Sequence, residues 1–423
     1  MTMGTAPSGL SLATMVVLMA AVFTVSMGYG VVLPLLPYLI ERLLGTAGDA
    51  AQVSRSTGLL TAIYGLALFL FAPIWGRLSD LYGRRVILLA GLAGFSATML
   101  IFTFQENFTG LYAERFLSGL FAAAVTPVAL AAVADLATSE QARARRLTFV
   151  SLASISGFLL GPMIGVFLAR TGSTLLPNPG ASGLLAIPLA TTSILALGVA
   201  VAVIATVSGS KPTKVLLRAE RGAPKIKAAL VPQLLALAFI VSAGVGVFEV
   251  GLALRGKQEL GLTQYQIAIM FSECSLVMFT AQAIIFSPWV KPETTRWLIA
   301  PALALLAAGL FLVPYASNFT LMLTVVGVVA ASAGILSPIL TYWISIKSGA
   351  AQGAAFGKQA AASSLGVTAG SAAGGLLFNV GALPNASFVL LTALTVFGCL
   401  FSLGLPNRLF TRNVKQPIPI KQT

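Results

Sequence analysis

The sequence predicts an all-α membrane protein whose twelve transmembrane helices form two pseudo-symmetric six-helix bundles. Three observations carry that expectation. The 423 residues are 57% hydrophobic and only 9% charged, with a mean hydropathy of +0.93, more apolar surface than a water-soluble core can use. The apolar residues gather into runs near the ~20 needed for a helix to cross hydrocarbon, not into the alternating segments of a barrel. Landmarks in the first half of the chain also recur in the second at a near-constant offset.

The runs fall at about 12–39, 57–76, 86–104, 110–134, 147–169 and 184–207, then at 231–254, 265–288, 297–315, 320–345, 356–378 and 386–405. No basic region precedes the first, which therefore reads as a span and not as a cleaved signal. The second and third are joined by Gly76-Arg77-Leu78-Ser79-Asp80-Leu81-Tyr82-Gly83-Arg84-Arg85, a charged hinge so short that the two crossings must form a tight antiparallel hairpin. Its three Arg assign it to the cytoplasmic side. With both termini on that side, nineteen Lys/Arg fall in cytoplasmic loops and tail and five in outer loops (42, 55, 170, 255 and 257). Arg115 and Lys358 lie within spans. This asymmetry explains the net charge of +14 better than an acidic or nucleic-acid partner does.

The longest polar stretch, 208–229, carries six Lys/Arg against Glu220 and divides the spans six and six. The expected organisation is an N-terminal bundle (1–207), a cytoplasmic basic linker (208–229) resting on anionic headgroups, a C-terminal bundle (230–405) and a cytoplasmic tail (406–423). The halves repeat. Asn107-Phe108-Thr109 recurs as Asn318-Phe319-Thr320, Pro127 as Pro338 and Gln141 as Gln352, all 211 residues apart. Gly157 and Gly161 match Gly370 and Gly374 at 213; Gly28 and Gly30 match Gly244 and Gly246 at 216. Such spacing marks a parallel repeat, two bundles related by an axis along the membrane normal. The Asn-x-Thr triplets match a glycosylation acceptor in form, but a shared helix-start role explains their duplication more simply.

Enzyme chemistry finds no foothold. There is no His, and Cys274 and Cys399 both sit inside apolar runs. No phosphate loop, Cys/His cluster or nucleophile–His pair is present, so neither cofactor nor metal is expected and an ion gradient is the expected energy source.

Over nearly its whole length the chain resembles the major facilitator superfamily, specifically its twelve-span drug–proton antiporter branch. The hinge, Gly76-x3-Asp80-x2-Gly83-Arg84-Arg85, resembles the family's loop between spans two and three, and the resemblance implies a cytoplasmic latch that biases alternating access. On physical grounds Gly76 and Gly83 permit a tight turn, and Asp80 can cap a helix start and pair with Arg. The second-half counterpart, 287–297, lacks the glycines, so any latch is asymmetric. Leu111-Tyr112-Ala113-Glu114-Arg115-Phe116-Leu117-Ser118-Gly119 resembles the span-four motif, which implies a proton-coupling role for Arg115. A charge within a span costs ~2.5–3.5 kcal/mol or more and normally faces a cavity or a partner, although Arg115 is close enough to the outer end to snorkel. Glu114 points about 100° from it and need not share its face. Gly157-x3-Gly161-Pro162-x2-Gly165 resembles the span-five antiporter motif, with Val166 where the family usually has a further Gly. The glycines allow close helix approach and Pro162 a kink.

Two more carboxylates are buried in spans: Glu249 in the seventh and Glu273 in the eighth. Burial favours the neutral form of a carboxylic acid, and water or a cation favours the ionised form, the elementary step of a proton-coupled carrier. The first span, where some relatives place an acid, has none before Glu41. Lys358, which corresponds to Arg145, reads as a snorkelling anchor, or alternatively as a contact for an anionic substrate. Tyr29, Phe239, Phe248, Tyr342 and Trp343 fall in spans that the resemblance places around a central cavity, suited to an amphiphilic ligand.

The expected function is a proton-coupled antiporter that exports small amphiphilic, drug-like molecules by alternating access, from a bacterial inner membrane, with cytoplasmic termini and as a monomer. Its expected partners are a small-molecule substrate, protons and the lipid bilayer, with no nucleic acid. Alternatives are a dedicated exporter of a metabolite or siderophore, a nutrient–proton symporter, and a non-transporting membrane receptor or scaffold.

Overall fold

The computed structural model describes residues 11–45, 49–105, 107–135, 140–175, 183–207, 230–285, 287, 290, 292–348, 352–380 and 385–410. The expected linker at 208–229 and the tail from 411 lie outside these residues, so the division into two bundles and a linker stays an expectation. The first six crossings are spans 1 (Leu12–Leu44), 2 (Ala50–Tyr82), 3 (Arg84–Phe102), 4 (Phe108–Asp135), 5 (Glu140–Leu175) and 6 (Gly183–Thr206). The next six are spans 7 (Leu230–Gln258), 8 (Gln264–Ile285), 9 (Thr294–Tyr315), 10 (Phe319–Ser348), 11 (Gln352–Leu376) and 12 (Ala386–Ser402). Among the described residues, spans 1 to 10 are long and apolar enough to cross a membrane by themselves. Span 12 has 17 residues. Span 11 is rich in Ala, Gly and Ser because it is wedged between spans 2 and 7, where small side chains let backbones approach.

Most helices outrun the apolar segments that announced them, since polar residues extend a helix past the hydrocarbon. This corrects the hinge. Span 2 runs through Gly76 and Asp80 to Tyr82, span 3 begins at Arg84, and Gly83 alone makes the turn. Its φ of +94° is where a residue with a Cβ is strained. Gly76 therefore makes no turn, and Asp80 caps no helix start; it lies in the last turn of span 2 and pairs with Arg84 at 2.6 Å. Arg255 and Lys257, counted as outer-loop residues, belong to the last turn of span 7. Span 1 has a break of its own, a 3-10 turn over Leu33–Leu35 with Pro34 inside it and Pro37 beginning the next helical stretch.

The repeat is visible in the packing. Asn107 Oδ1 accepts from the Gly110 amide at 2.7 Å and Asn318 Oδ1 from the Leu321 amide at 2.8 Å, so the duplicated triplets start spans 4 and 10. Gly157, Gly161 and Gly165 press span 5 onto span 1; a Cβ on Gly161 would lie 2.7 Å from the Met27 carbonyl. In the second half Gly370 and Gly374 press span 11 onto span 7 against Ala243, Val247 and Val250. Each motif thus serves the same seam in its own half.

Spans 2 and 11, and spans 5 and 8, join the halves. The end that carries Gly83 is termed the hinge end, and the opposite one the far end. Several contacts across the halves lie between the far end and the middle. Gly58 and Gly375 abut, Ser272 Oγ donates to the Leu159 carbonyl at 3.1 Å, and Gly65 faces Thr368. Span 2 is buried through Ser54, Thr57, Gly58 and Leu60, yet toward the hinge end it exposes Leu70, Ile74, Leu81 and Tyr82.

Candidate functional site

Halfway along span 1, the apolar face against span 5 carries one aromatic ring with a polar tip. Tyr29 stacks on Tyr64 of span 2 with ring centroids 5.0 Å apart, and its other flank meets Phe158 of span 5 at 5.5 Å. With the ring held on both sides, its hydroxyl points across the seam and donates to Glu249 Oε2 of span 7 at 3.0 Å. Glu249 is only 8% exposed. Gly246 and Gly251 place it, for span 11 and Phe388 lie so close to them that any side chain there would collide. Cys274 of span 8 is within electrostatic reach of both Glu249 and Glu273. The small cavity beside Tyr29, about 10 Å³, is lined by Leu36, Leu60, Thr61, Tyr64 and Arg115 among others, barely room for one water.

Behind Tyr64 lies a buried ion pair. Arg115 Nε meets Glu114 Oε2 at 2.8 Å and its Nη2 meets Oε1 at 3.2 Å, a two-pronged contact between residues 3% and 2% exposed. The sequence separates the two side chains by a helical step, but each alternative is a lone charge among apolar groups, and both chains are long enough to curl together. The Phe102 ring covers the guanidinium at 4.5 Å and Tyr64 approaches it at 5.7 Å. Arg115 does not snorkel outward, and the pair adds no net charge to the interior.

The other expected site residues divide. Glu273 is half-buried on span 8 and faces Gly327 of span 10, away from the Tyr29 contact; among the described residues its Oε2 has no hydrogen-bond partner. Phe239 is half-buried, with its backbone against Gly366. Phe248, 1% exposed, is sealed in the core. Tyr342 and Trp343 pack edge to face at 5.5 Å, and the Trp343 indole donates to Thr295 at 3.2 Å, which anchors them near the hinge end of the second half. Gly83, Asp80, Arg84 and Arg85 cluster at the hinge end, where Arg84 also bonds Ser79 and Arg85 donates to the Ile204 carbonyl of span 6 at 2.7 Å. Lys358 is exposed near the start of span 11.

Several residues at the seam escaped the sequence reading. Tyr64 and Phe158 sandwich Tyr29. At the far end Lys257 pairs with Glu41 and donates to the Pro37 carbonyl at 3.2 Å, while its ammonium lies 4.7 Å over the Tyr38 ring. The Tyr38 hydroxyl donates to the Leu262 carbonyl at 2.5 Å, and Asn379 links Ser54 (2.8 Å) to Gln258 (3.0 Å). A polar-tipped aromatic in an apolar run was a signal for Tyr64. Lys257 gave none, since its partner lies 216 residues away.

The sequence profile of the Major Facilitator Superfamily matches residues 18–354. The chain is 28% identical over 375 residues to Multidrug resistance protein 1 of Bacillus subtilis (strain 168), covering 87% of this chain and 90% of that protein. It is 27% identical over 364 residues to Quinolone resistance protein NorA of Staphylococcus aureus (strain COL), covering 85% and 88%. Its fold is similar to that of the human organic anion transporter MFSD10 (TETRAN), with a TM-score of 0.69 at 20% identity over 92% of this chain and 99% of that one. It is similar also to a D-xylose-proton symporter, with a TM-score of 0.72 at 14% identity over 93% and 98%. At such identities the two structures speak for the shared fold alone.

Proposed function

Because this chain belongs to the Major Facilitator Superfamily and is a membrane transporter, we propose that it exports small amphiphilic, drug-like molecules in exchange for protons. The observation that carries the reading is Glu249, a buried acid bonded across the seam between two halves that must part and close. A carboxyl group there gains a proton when water reaches it from one side and loses it when water reaches it from the other. The names of the bacterial relatives, multidrug and quinolone resistance proteins, support a drug-like cargo. The glycines of span 5 support it too, since they match the antiporter motif and pack the helix against the one that carries Tyr29.

In this reading the hinge end and both termini are cytoplasmic, residues 1–207 and 230–405 are the rocking bundles, and the membrane is a bacterial inner membrane. The far end, held by the Lys257–Glu41 pair and the Tyr38–Leu262 bond, is then the closed outer side. Cargo enters from the hinge end and reaches the stacked rings of Tyr29, Tyr64 and Phe158. Binding displaces water from Glu249, the halves rock, and a proton from outside neutralises the acid as cargo leaves. Glu114 and Arg115 hold a compensated charge beside the acid and so tune it. Glu273 serves as a second proton site on span 8.

The test is Glu249→Gln in proteoliposomes, with internal pH read under an imposed gradient while a panel of lipophilic cations and quinolones is supplied. The variant is expected to bind cargo measurably and to lose gradient-driven export. Export that stays coupled in the variant removes Glu249 from the mechanism. Proton flux in the same direction as cargo identifies a symporter instead.

A further inference from the structure

The Tyr29–Glu249 hydrogen bond ties the proposed proton carrier itself to the opposite half of the protein. This has a consequence for coupling, and it rests on the exchange mechanism just proposed. An exchanger must not reorient when it holds neither cargo nor proton. If it does, each cycle picks up a proton outside, releases it inside and returns empty, and the gradient drains with no cargo moved. We propose that the Tyr29 hydroxyl is the positioning group that blocks this empty return, by holding ionised Glu249 across the seam until a proton or a cargo molecule replaces it.

Four features support the assignment. Tyr29 belongs to span 1 and Glu249 to span 7, so the bond cannot survive a motion that separates these spans. Glu249 lies nine residues before the far tip of its helix, roughly 13 Å at 1.5 Å per residue, which is the closed side of the molecule. The Tyr29 ring is fixed by Tyr64 and Phe158, so the hydroxyl is aimed in advance at little entropic cost. A hydrogen bond to an ionised carboxylate is roughly twice as strong as one between neutral groups, so adding a proton to Glu249 loosens the clasp without removing either partner. Cargo meets the stack of Tyr29, Tyr64 and Phe158 as a unit, and a ligand that displaces one of these rings pulls the hydroxyl from the acid.

The surrounding groups leave the switch to this pair. Facing it are the Tyr64 hydroxyl from span 2, the Cys274 thiol from span 8 with Glu273 beyond it, and the Arg115 guanidinium from span 4. Glu114 neutralises Arg115, so no unbalanced cation competes with Tyr29 for the carboxylate. The Lys257–Glu41 pair, the Tyr38–Leu262 bond and the Asn379 bridge close the far end above it. They too must part when the far end opens, but none involves the carrier carboxyl, whereas the Tyr29 clasp changes strength with its state.

Tyr29→Phe removes the hydroxyl and keeps the stacked ring. In proteoliposomes without cargo, an imposed pH gradient should collapse about ten- to a hundred-fold faster through this variant than through the wild type, the population shift expected from losing a bond to a charged group. Tyr29→Phe combined with Glu249→Gln should return to the wild-type rate, because the leak runs through that carboxyl. A Tyr29→Phe protein that exports cargo without any leak overturns the proposal, and so does a leak that persists in the double variant. Hydrogen–deuterium exchange across 36–45 and 256–263 provides a readout independent of transport. It should quicken in Tyr29→Phe relative to wild type, and the same change should have no effect in the Glu249→Gln background. Identical exchange in wild type and Tyr29→Phe also overturns the clasp. A wild-type protein that moves no protons with any cargo instead overturns the exchange mechanism, and the exchange kinetics still decide whether the clasp exists.

Discussion

Replacing Gly58 with alanine puts a methyl group where span 11 already lies. The new Cβ would sit 2.5 Å from Gly375 Cα, 2.6 Å from the Ser371 carbonyl and 2.7 Å from the Gly375 amide, all backbone atoms that no rotamer change can move. Carbon atoms in contact prefer ~3.5–4.0 Å, so the seam must widen by roughly 1 Å. Overpacking of this kind costs about 1–3 kcal/mol. The cost falls only on the arrangement in which spans 2 and 11 touch at the far end, so the closed-to-open ratio there should drop about five- to a hundred-fold. The assay is labelling of Leu36→Cys, a buried position at the small cavity, by a membrane-impermeant maleimide applied from the far side. Labelling should rise by that factor in Gly58→Ala. Gly375→Ala should match it, because its Cβ meets Gly58 Cα at 2.5 Å. Gly198→Ala, with nothing within 4 Å, should leave labelling at baseline. Unchanged labelling in both seam variants would refute the inference that this contact closes the far end.

Two further outcomes follow from the charged groups. Glu114→Ala leaves Arg115 buried without its carboxylate, a loss of about 3–5 kcal/mol, so thermal unfolding in detergent should show a large drop in Tm. Glu114→Gln with Arg115→Gln should recover most of it, since neither charge is then stranded. Asp80→Asn removes a half-exposed pair worth at most about 1 kcal/mol, so Tm should barely move. The turnover of export should fall more than cargo affinity does; equal loss of both would argue against a latch at the hinge end.

The candidate site was partly legible. Glu249 stood out because an acid in an apolar run needs a reason, and Gly157 and Gly161 stood out because their spacing suits a close helix contact. Tyr29 was singled out only as one of several aromatics. Its special place depends on Tyr64, Phe158 and Glu249, which come from three other helices. Phe248 shows the converse: adjacent to Glu249 in sequence, it turns into the core, because neighbouring helical residues diverge by about 100°. The same rule implied that Glu114 and Arg115 need not meet, yet desolvation of two long charged side chains overrode it. Gly76 and Gly83 looked equivalent as turn formers, and only backbone continuity separates the helical glycine from the one at φ +94°.

Composition and periodicity alone determined that the chain is helical and that it lives in a bilayer, because these depend on local propensity and on the ban on unpaired backbone groups in hydrocarbon. They determined as well which residues are costly enough to need explaining. Which helices touch across the halves and which acid meets Tyr29 were decided by tertiary packing. Those contacts join residues hundreds of positions apart, and their energies depend on distances of a few tenths of an ångström that no local pattern encodes.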